Sequence, residues 1–217
     1  AIDRAGLVGD DGATHHGVFD LAYLRQIPGM IVMAPKDENE LQHMLYTALH
    51  CHQPAAIRYP RGEGRGIAMD ETLEELAIGQ GELLTQDGEI TLLAVGSMVA
   101  VAEETAQLLA ERYQLKCTII NARFVKPLDE QLILAHTLQQ KLVVTMEEGI
   151  LAGGFGSAVL ELLSAQGRVL PPVLRIGIED GFVAHGATER LKADAGLTAD
   201  KITARIAQVL SLTEEGE

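Results

Sequence analysis

The sequence of 217 residues predicts an α/β protein made of two blocks and an irregular connection. Three observations carry that reading. Short apolar runs stop at proline, glycine or charged residues. Stretches with apolar residues at helical spacing alternate with them. Between residues 63 and 80, glycines, charges and an acidic stretch interrupt the alternation. Strands that alternate with helices are the unit of a parallel sheet.

The first block spans 1–62. Its opening loop, residues 6–17, is rich in Gly, Asp and His. Ile31, Val32, Met33 and Ala34 form an apolar run that stops at Pro35, which reads as a buried strand. Asp37 and Glu40 have capping-box spacing. Leu41, Met44, Leu45, Ala48 and Leu49 then follow at helical spacing, so a helix is expected to about His50. Residues 54–59 read as a second strand ended by Pro60. Residues 63–80 read as a linker.

The second block spans 81–212, with an acidic tail at 213–217. Residues 82–85 and 90–95 flank Gln86, Asp87, Gly88 and Glu89, a hairpin signal because Asp-Gly tolerates positive φ. Ser97 is placed to cap a helix carrying Val101, Ala102, Thr105, Leu108 and Leu109. Strands are expected at 117–120, 142–146 and 173–176. Helices are expected at 129–136, 157–165 and 200–210, which makes a second small α/β domain.

Composition excludes some functions. The chain is 47% hydrophobic and 22% charged, an ordinary globular balance. Its formal net charge of −14 argues against nucleic acid and anionic membranes, which need basic patches. Two distant cysteines, Cys51 and Cys117, make no disulfide framework and fit a reducing compartment. No apolar run reaches the roughly 18–20 residues of a membrane helix, and no signal peptide is read. The start at Ala1, Ile2, Asp3 and Arg4 reads as the end of a buried strand, hence as a piece of a longer protein.

The stretch richest in chemistry runs from Asp3 to Gly17. It holds a cation, carboxylates, imidazoles and four glycines that let backbone approach a ligand. In α/β sheets ligands bind beyond the carboxyl ends of strands. An ordinary turn-rich surface loop has the same composition, and the residues alone leave both readings open. Gly153 to Ser157 open a helix and can either cradle a phosphate or pack closely on a strand. His43, His50, Cys51 and His52 lack the spacing of a known zinc site, and a solvated helix end is expected there.

Four stretches, in order along the chain, resemble one family. They are residues 3–17 (DRAGLVGDDGATHHG), Arg58-Tyr59-Pro60-Arg61-Gly62, Phe124-Val125-Lys126-Pro127-Leu128-Asp129 and Gly153-Gly154-Phe155-Gly156-Ser157. Together they resemble the carboxy-terminal part of the deoxyxylulose phosphate synthases, thiamine-diphosphate enzymes of the transketolase superfamily. The resemblance implies a partial pyrimidine-binding domain over 1–62 followed by a transketolase C-terminal domain. It implies condensation of pyruvate with D-glyceraldehyde 3-phosphate, with loss of CO2. Arg4 and Arg61 match positions that bind the aldehyde's phosphate. His15 matches a catalytic histidine. Asp11 matches a neighbouring acid that contacts substrate hydroxyls or steadies that histidine. Arg58 is expected to pack or pair near its strand, and His16 and Asp10 to be exposed.

The family's Mg2+ and diphosphate segment, and its catalytic glutamate, are expected upstream of Ala1. The resemblance therefore implies thiamine diphosphate and Mg2+ in the intact enzyme, neither cofactor nor metal held by this chain alone, and no activity of the fragment. Expected partners are the missing amino-terminal portion and a second copy in a homodimer, in a bacterial cytoplasm. The first block, short of strands, is expected to be disordered, swapped or completed by another chain. A different transketolase-like or E1β-like half, or a non-catalytic dimerisation module, are the alternatives.

Overall fold

A computed structural model describes residues 1–86 and 88–213. The first block contains α1 (Asp20–Leu24), β1 (Ile31–Met33), α2 (Glu38–His50) and β2 (Ala55–Ile57). β1 and β2 run parallel, with Ile31 opposite Ala55 and Met33 opposite Ile57. Asp37 caps α2 by accepting the Glu40 N–H at 2.8 Å. Only half of the capping box forms. The Glu40 carboxylate reaches past Asp37 to the Lys36 N–H at 2.7 Å and to Arg123 Nε at 2.7 Å.

The second block contributes β3 (Glu82–Thr85), β4 (Ile90–Ala94), α3 (Met98–Tyr113), β5 (Cys117–Asn121), β6 (Phe124–Lys126), α4 (Glu130–Thr137), β7 (Leu142–Ile150), α5 (Phe155–Ser164), β8 (Val173–Ile178), α6 (Thr188–Asp194) and α7 (Ala199–Leu210). Five strands form one sheet in the order β3-β5-β4-β7-β8, parallel except at β3. Its faces are covered separately. Leu92 and Val144 meet Met98, Leu109, Ile202 and Ile206 on one side. Leu93 and Ile120 meet Ile133, Phe155 and Val159 on the other. Adjacent residues of a strand point to opposite faces, so Leu92 and Leu93 serve both layers.

Two expectations fail here. The hairpin does not form, because β5 lies between β3 and β4. All five residues of β4 are buried, which demands a central strand with parallel neighbours rather than an edge hairpin. Asp87 itself lies outside the described residues, as do residues 214–217 of the tail. Ser97 does not cap α3 with its side chain; its hydroxyl donates to Glu148 Oε2 at 2.7 Å.

The first block does not stand apart from the second. β6 pairs antiparallel with β1, giving a small sheet in the order β2-β1-β6. Phe124 of β6 is fully buried with Met33, Met44 and Ile57. Arg123, just before β6, pairs with Glu40 and with Glu82 at 3.1 Å. Residues 63–80 run along α2 without regular structure. Glu38 accepts N–H groups from Arg65, Gly66 and Ile67, and Thr47 Oγ1 accepts that of Leu76. Among the described residues, no helix is long and apolar enough to cross a membrane.

Candidate functional site

Backbone pairing explains how Arg4 and Arg61 meet. Residues 1–5 run alongside 57–59: the Ile2 N–H donates to Ile57 O at 2.8 Å, Tyr59 N–H to Ile2 O at 3.0 Å and Ala5 N–H to Tyr59 O at 3.0 Å. This ladder sets the two arginine-bearing arms side by side. Asp11 then closes the group. Its Oδ2 accepts from Arg4 Nε at 3.1 Å, and its Oδ1 takes Arg61 Nη1. Arg4 also reaches Asp3 at 3.1 Å. Both arginine side chains stay accessible, at 41% for Arg4 and 48% for Arg61. Desolvation pushes the Asp11 carboxyl up, but hydrogen bonds from Arg61 and Arg4 together outweigh it and hold the group below its ordinary range.

His15 is exposed, and its Nδ1 lies 2.9 Å from the Thr14 hydroxyl. Both Asp11 oxygens face arginines, so Asp11 does not steady this ring. Asp10 is exposed, as expected. His16 departs from expectation. It is half-buried: Nδ1 accepts the Val8 N–H at 3.0 Å and Nε2 faces Ala184 O at 3.3 Å. A donor at Nδ1 places the ring proton on Nε2, where it points at that carbonyl.

The second block holds the root of this loop. Glu148 Oε1 accepts the Leu7 N–H at 2.8 Å, and Thr188 Oγ1 accepts the Gly9 N–H at 3.1 Å. Gly6, at φ +72°, sits so close to the Glu148 carboxyl that an added Cβ would lie 2.3 Å from it. A Cβ on Gly9 would lie 2.0 Å from Gly186 O. Arg58 is buried beneath, as expected for a packing role. Its Nε donates to Asp20 Oδ1, and its Nη2 to the carbonyls of Gly17 and Glu148, all at 2.7 Å. Among the described residues Asp20 Oδ2 has no partner, and burial raises the carboxyl's pKa despite Arg58. The sequence does carry a signal for Glu148. Glu147 and Glu148 interrupt the apolar run of β7, and buried carboxylates need partners.

The helix-opening glycines do not offer a vacant anion cradle. Glu147 fills it, accepting the Phe155 and Gly156 N–H groups at 2.8 Å each. A Cβ on Gly156 would lie 2.6 Å from Thr145 Oγ1, so close packing accounts for that residue. His43 accepts the Glu74 N–H on Nδ1 and meets Asp70 on Nε2. Among the described residues, no group of three or more His, Cys, Asp or Glu side chains can hold a metal ion. Burial pushes the Cys117 thiol up to about 12, so it is no nucleophile.

Residues 1–66 match the transketolase pyrimidine binding domain, and residues 79–202 match the transketolase C-terminal domain. The chain belongs to the transketolase family. Among relatives, it is similar to the 1-deoxy-D-xylulose-5-phosphate synthase of Heliobacterium modesticaldum, at 55% identity over 97% of this chain and 32% of the relative. It is similarly related to that of Symbiobacterium thermophilum, at 56% identity over 97% of this chain and 32% of the relative. The chain thus spans about a third of the length of the curated relatives it matches.

Solved transketolase structures agree on the fold. A split-gene transketolase described as an inactive β4 tetramer superposes with a TM-score of 0.79 at 30% identity, covering 97% of this chain and 66% of that one. The transketolase of Leishmania mexicana superposes with a TM-score of 0.68 over 91% of this chain and 28% of its own, and at 20% identity it supports the transketolase fold alone.

Proposed function

We propose that this chain supplies the substrate-phosphate side of a 1-deoxy-D-xylulose-5-phosphate synthase, which joins pyruvate to D-glyceraldehyde 3-phosphate and releases CO2. The convergence of Arg4 and Arg61 on one carboxylate carries the reading. Two permanently charged, accessible guanidiniums that already share an anion form a receptor for phosphate oxygens. The names of the relatives above support the choice of substrates.

The chain's own residues do three things in this reading. Arg4 and Arg61 bind the phosphate and so orient the aldehyde. His15, exposed on the same loop, exchanges a proton with the reacting carbonyl and hydroxyl groups. Asp11 is the anion that both arginines share until the phosphate takes its place. Thiamine diphosphate would supply the electron sink for decarboxylation. Its diphosphate and Mg2+ would be held by segments outside this chain. An amino-terminal portion that carries those segments completes the enzyme, as a homodimer in the bacterial cytoplasm.

The test is to join the chain to that portion and assay both substrates. Arg61→Ala should raise the KM for glyceraldehyde 3-phosphate about tenfold to a hundredfold, the equivalent of losing about 1.5–3 kcal/mol of charged hydrogen bonding. The KM for pyruvate should move far less. An equal rise for both substrates refutes the assignment, and no CO2 release from the joined protein refutes the activity.

A further inference from the structure

We infer that Asp11 is an internal counter-anion that competes with the substrate's phosphate for Arg4 and Arg61, and that it thereby selects for doubly charged ligands. The inference rests on the phosphate-clamp reading above. Three observations carry it. Both carboxylate oxygens of Asp11 are engaged, one by each guanidinium, so one nitrogen of each fork that would meet phosphate oxygens is already paired. Asp3 holds a second edge of Arg4 at 3.1 Å. Two cations and two carboxylates together leave the closed cluster without net charge, in a chain whose formal net charge is −14. Such a cluster has little long-range pull on an anion.

The exchange needs only a side-chain rotation. The Asp11 N–H donates to Val8 O at 3.0 Å and anchors the backbone in a turn. The carboxylate is 22% exposed and can swing to water while the turn stays fixed. Exposed ion pairs of this kind are weak individually, so a stronger anion can displace them. A carboxylate or other monoanion exchanges one charge for the same charge and gains nothing. A phosphate monoester dianion brings twice the charge and three oxygens to the same two forks, and it wins.

The experiment titrates inorganic phosphate into the full chain at pH 8 and low ionic strength. Binding is followed through the arginine side-chain N–H resonances and by calorimetry, with acetate as the monoanion control. Asp11→Asn keeps the size of the side chain but removes its charge. It should tighten phosphate binding about tenfold, the worth of two exposed ion pairs. In that background Arg61→Ala should abolish the gain, and acetate should bind neither protein measurably. Asp11→Ser serves as a second variant, with the backbone amide spectrum as the check on folding. Phosphate binding that is unchanged or weaker in both variants overturns the inference, because Asp11 would then assist the ligand. Binding that survives Arg61→Ala, or is absent from every variant, overturns the clamp reading as well.

Discussion

His15 leaves its ring to solvent, whereas His16 commits both ring nitrogens to the protein. The two residues are chemically identical and adjacent, so nothing local in the sequence separates their roles. The distinction comes from Ala184, a carbonyl 168 positions further along the chain. Removing the His16 ring leaves the N–H of buried Val8 without its acceptor. His16→Ala should therefore lower unfolding stability by about 1–3 kcal/mol. His15→Ala should change it by less than about 0.5 kcal/mol, as for an exposed position. Urea denaturation of the two variants decides this, and a larger loss from His15→Ala would contradict the structure. Arg4, Asp11 and Arg61, which meet in the structure, were legible because they sit in distinctive motifs, whereas His15 meets Thr14 instead. Glu148 and Thr188 were not legible, because each acts through one hydrogen bond to a distant amide.

Helices and strands show the same division between local and distant signals. The cap at Asp37 was readable because its partner lies three residues away; the matching cap at Asp129 was not read. Ser97 has the right residue type and position, but the buried Glu148 carboxylate claims its hydroxyl. α1, α6 and β6 are short and carry little periodicity, so tertiary contacts define them. The junction of β7 with α5 yields a pH prediction. Burial pushes the Glu147 carboxyl up to about 7, although the Gly156 and Phe155 amides and nearby arginines pull it down. An acid whose folded pKa is raised contributes stability that is complete below its unfolded pKa. That contribution is lost as pH rises through the folded value. Between about pH 4.5 and 7 the loss should approach about 3 kcal/mol. Asp20, also raised, acts in the same direction. The lowered carboxyls of Asp11, Glu38, Asp70 and Glu82 act only in more acid solution. Glu147→Gln should flatten the stability profile between pH 5 and 8, while being less stable than the wild type at pH 5 because one amide loses its acceptor. A wild-type profile that rises across this range would contradict the assignment.

At the scale of the whole molecule, strand–helix alternation gave the α/β class and the second domain, yet suggested two bodies with a linker between them. The structure joins them, because β1 takes β6 as its neighbour across some ninety residues of chain. A three-residue strand has no periodicity to announce such a partner. The joint is polar at its rim. Arg123 Nε lies 2.7 Å from Glu40 Oε1, and Glu40 is only 4% exposed. Asn121 and the Lys36 N–H give the same carboxylate further support at 2.9 and 2.7 Å. Breaking a buried pair strands a charge, which costs about 3–5 kcal/mol when nothing else satisfies it. With two remaining donors, Arg123→Ala should cost about 2 kcal/mol. If the blocks fold as one unit, this loss is shared by both. Amide hydrogen exchange should then speed up together at Val32 in β1 and at Val144 in β7, and urea unfolding should stay a single transition. Acceleration confined to Val32, with Val144 as protected as before, would mean that the first block opens independently while the five-stranded sheet remains folded.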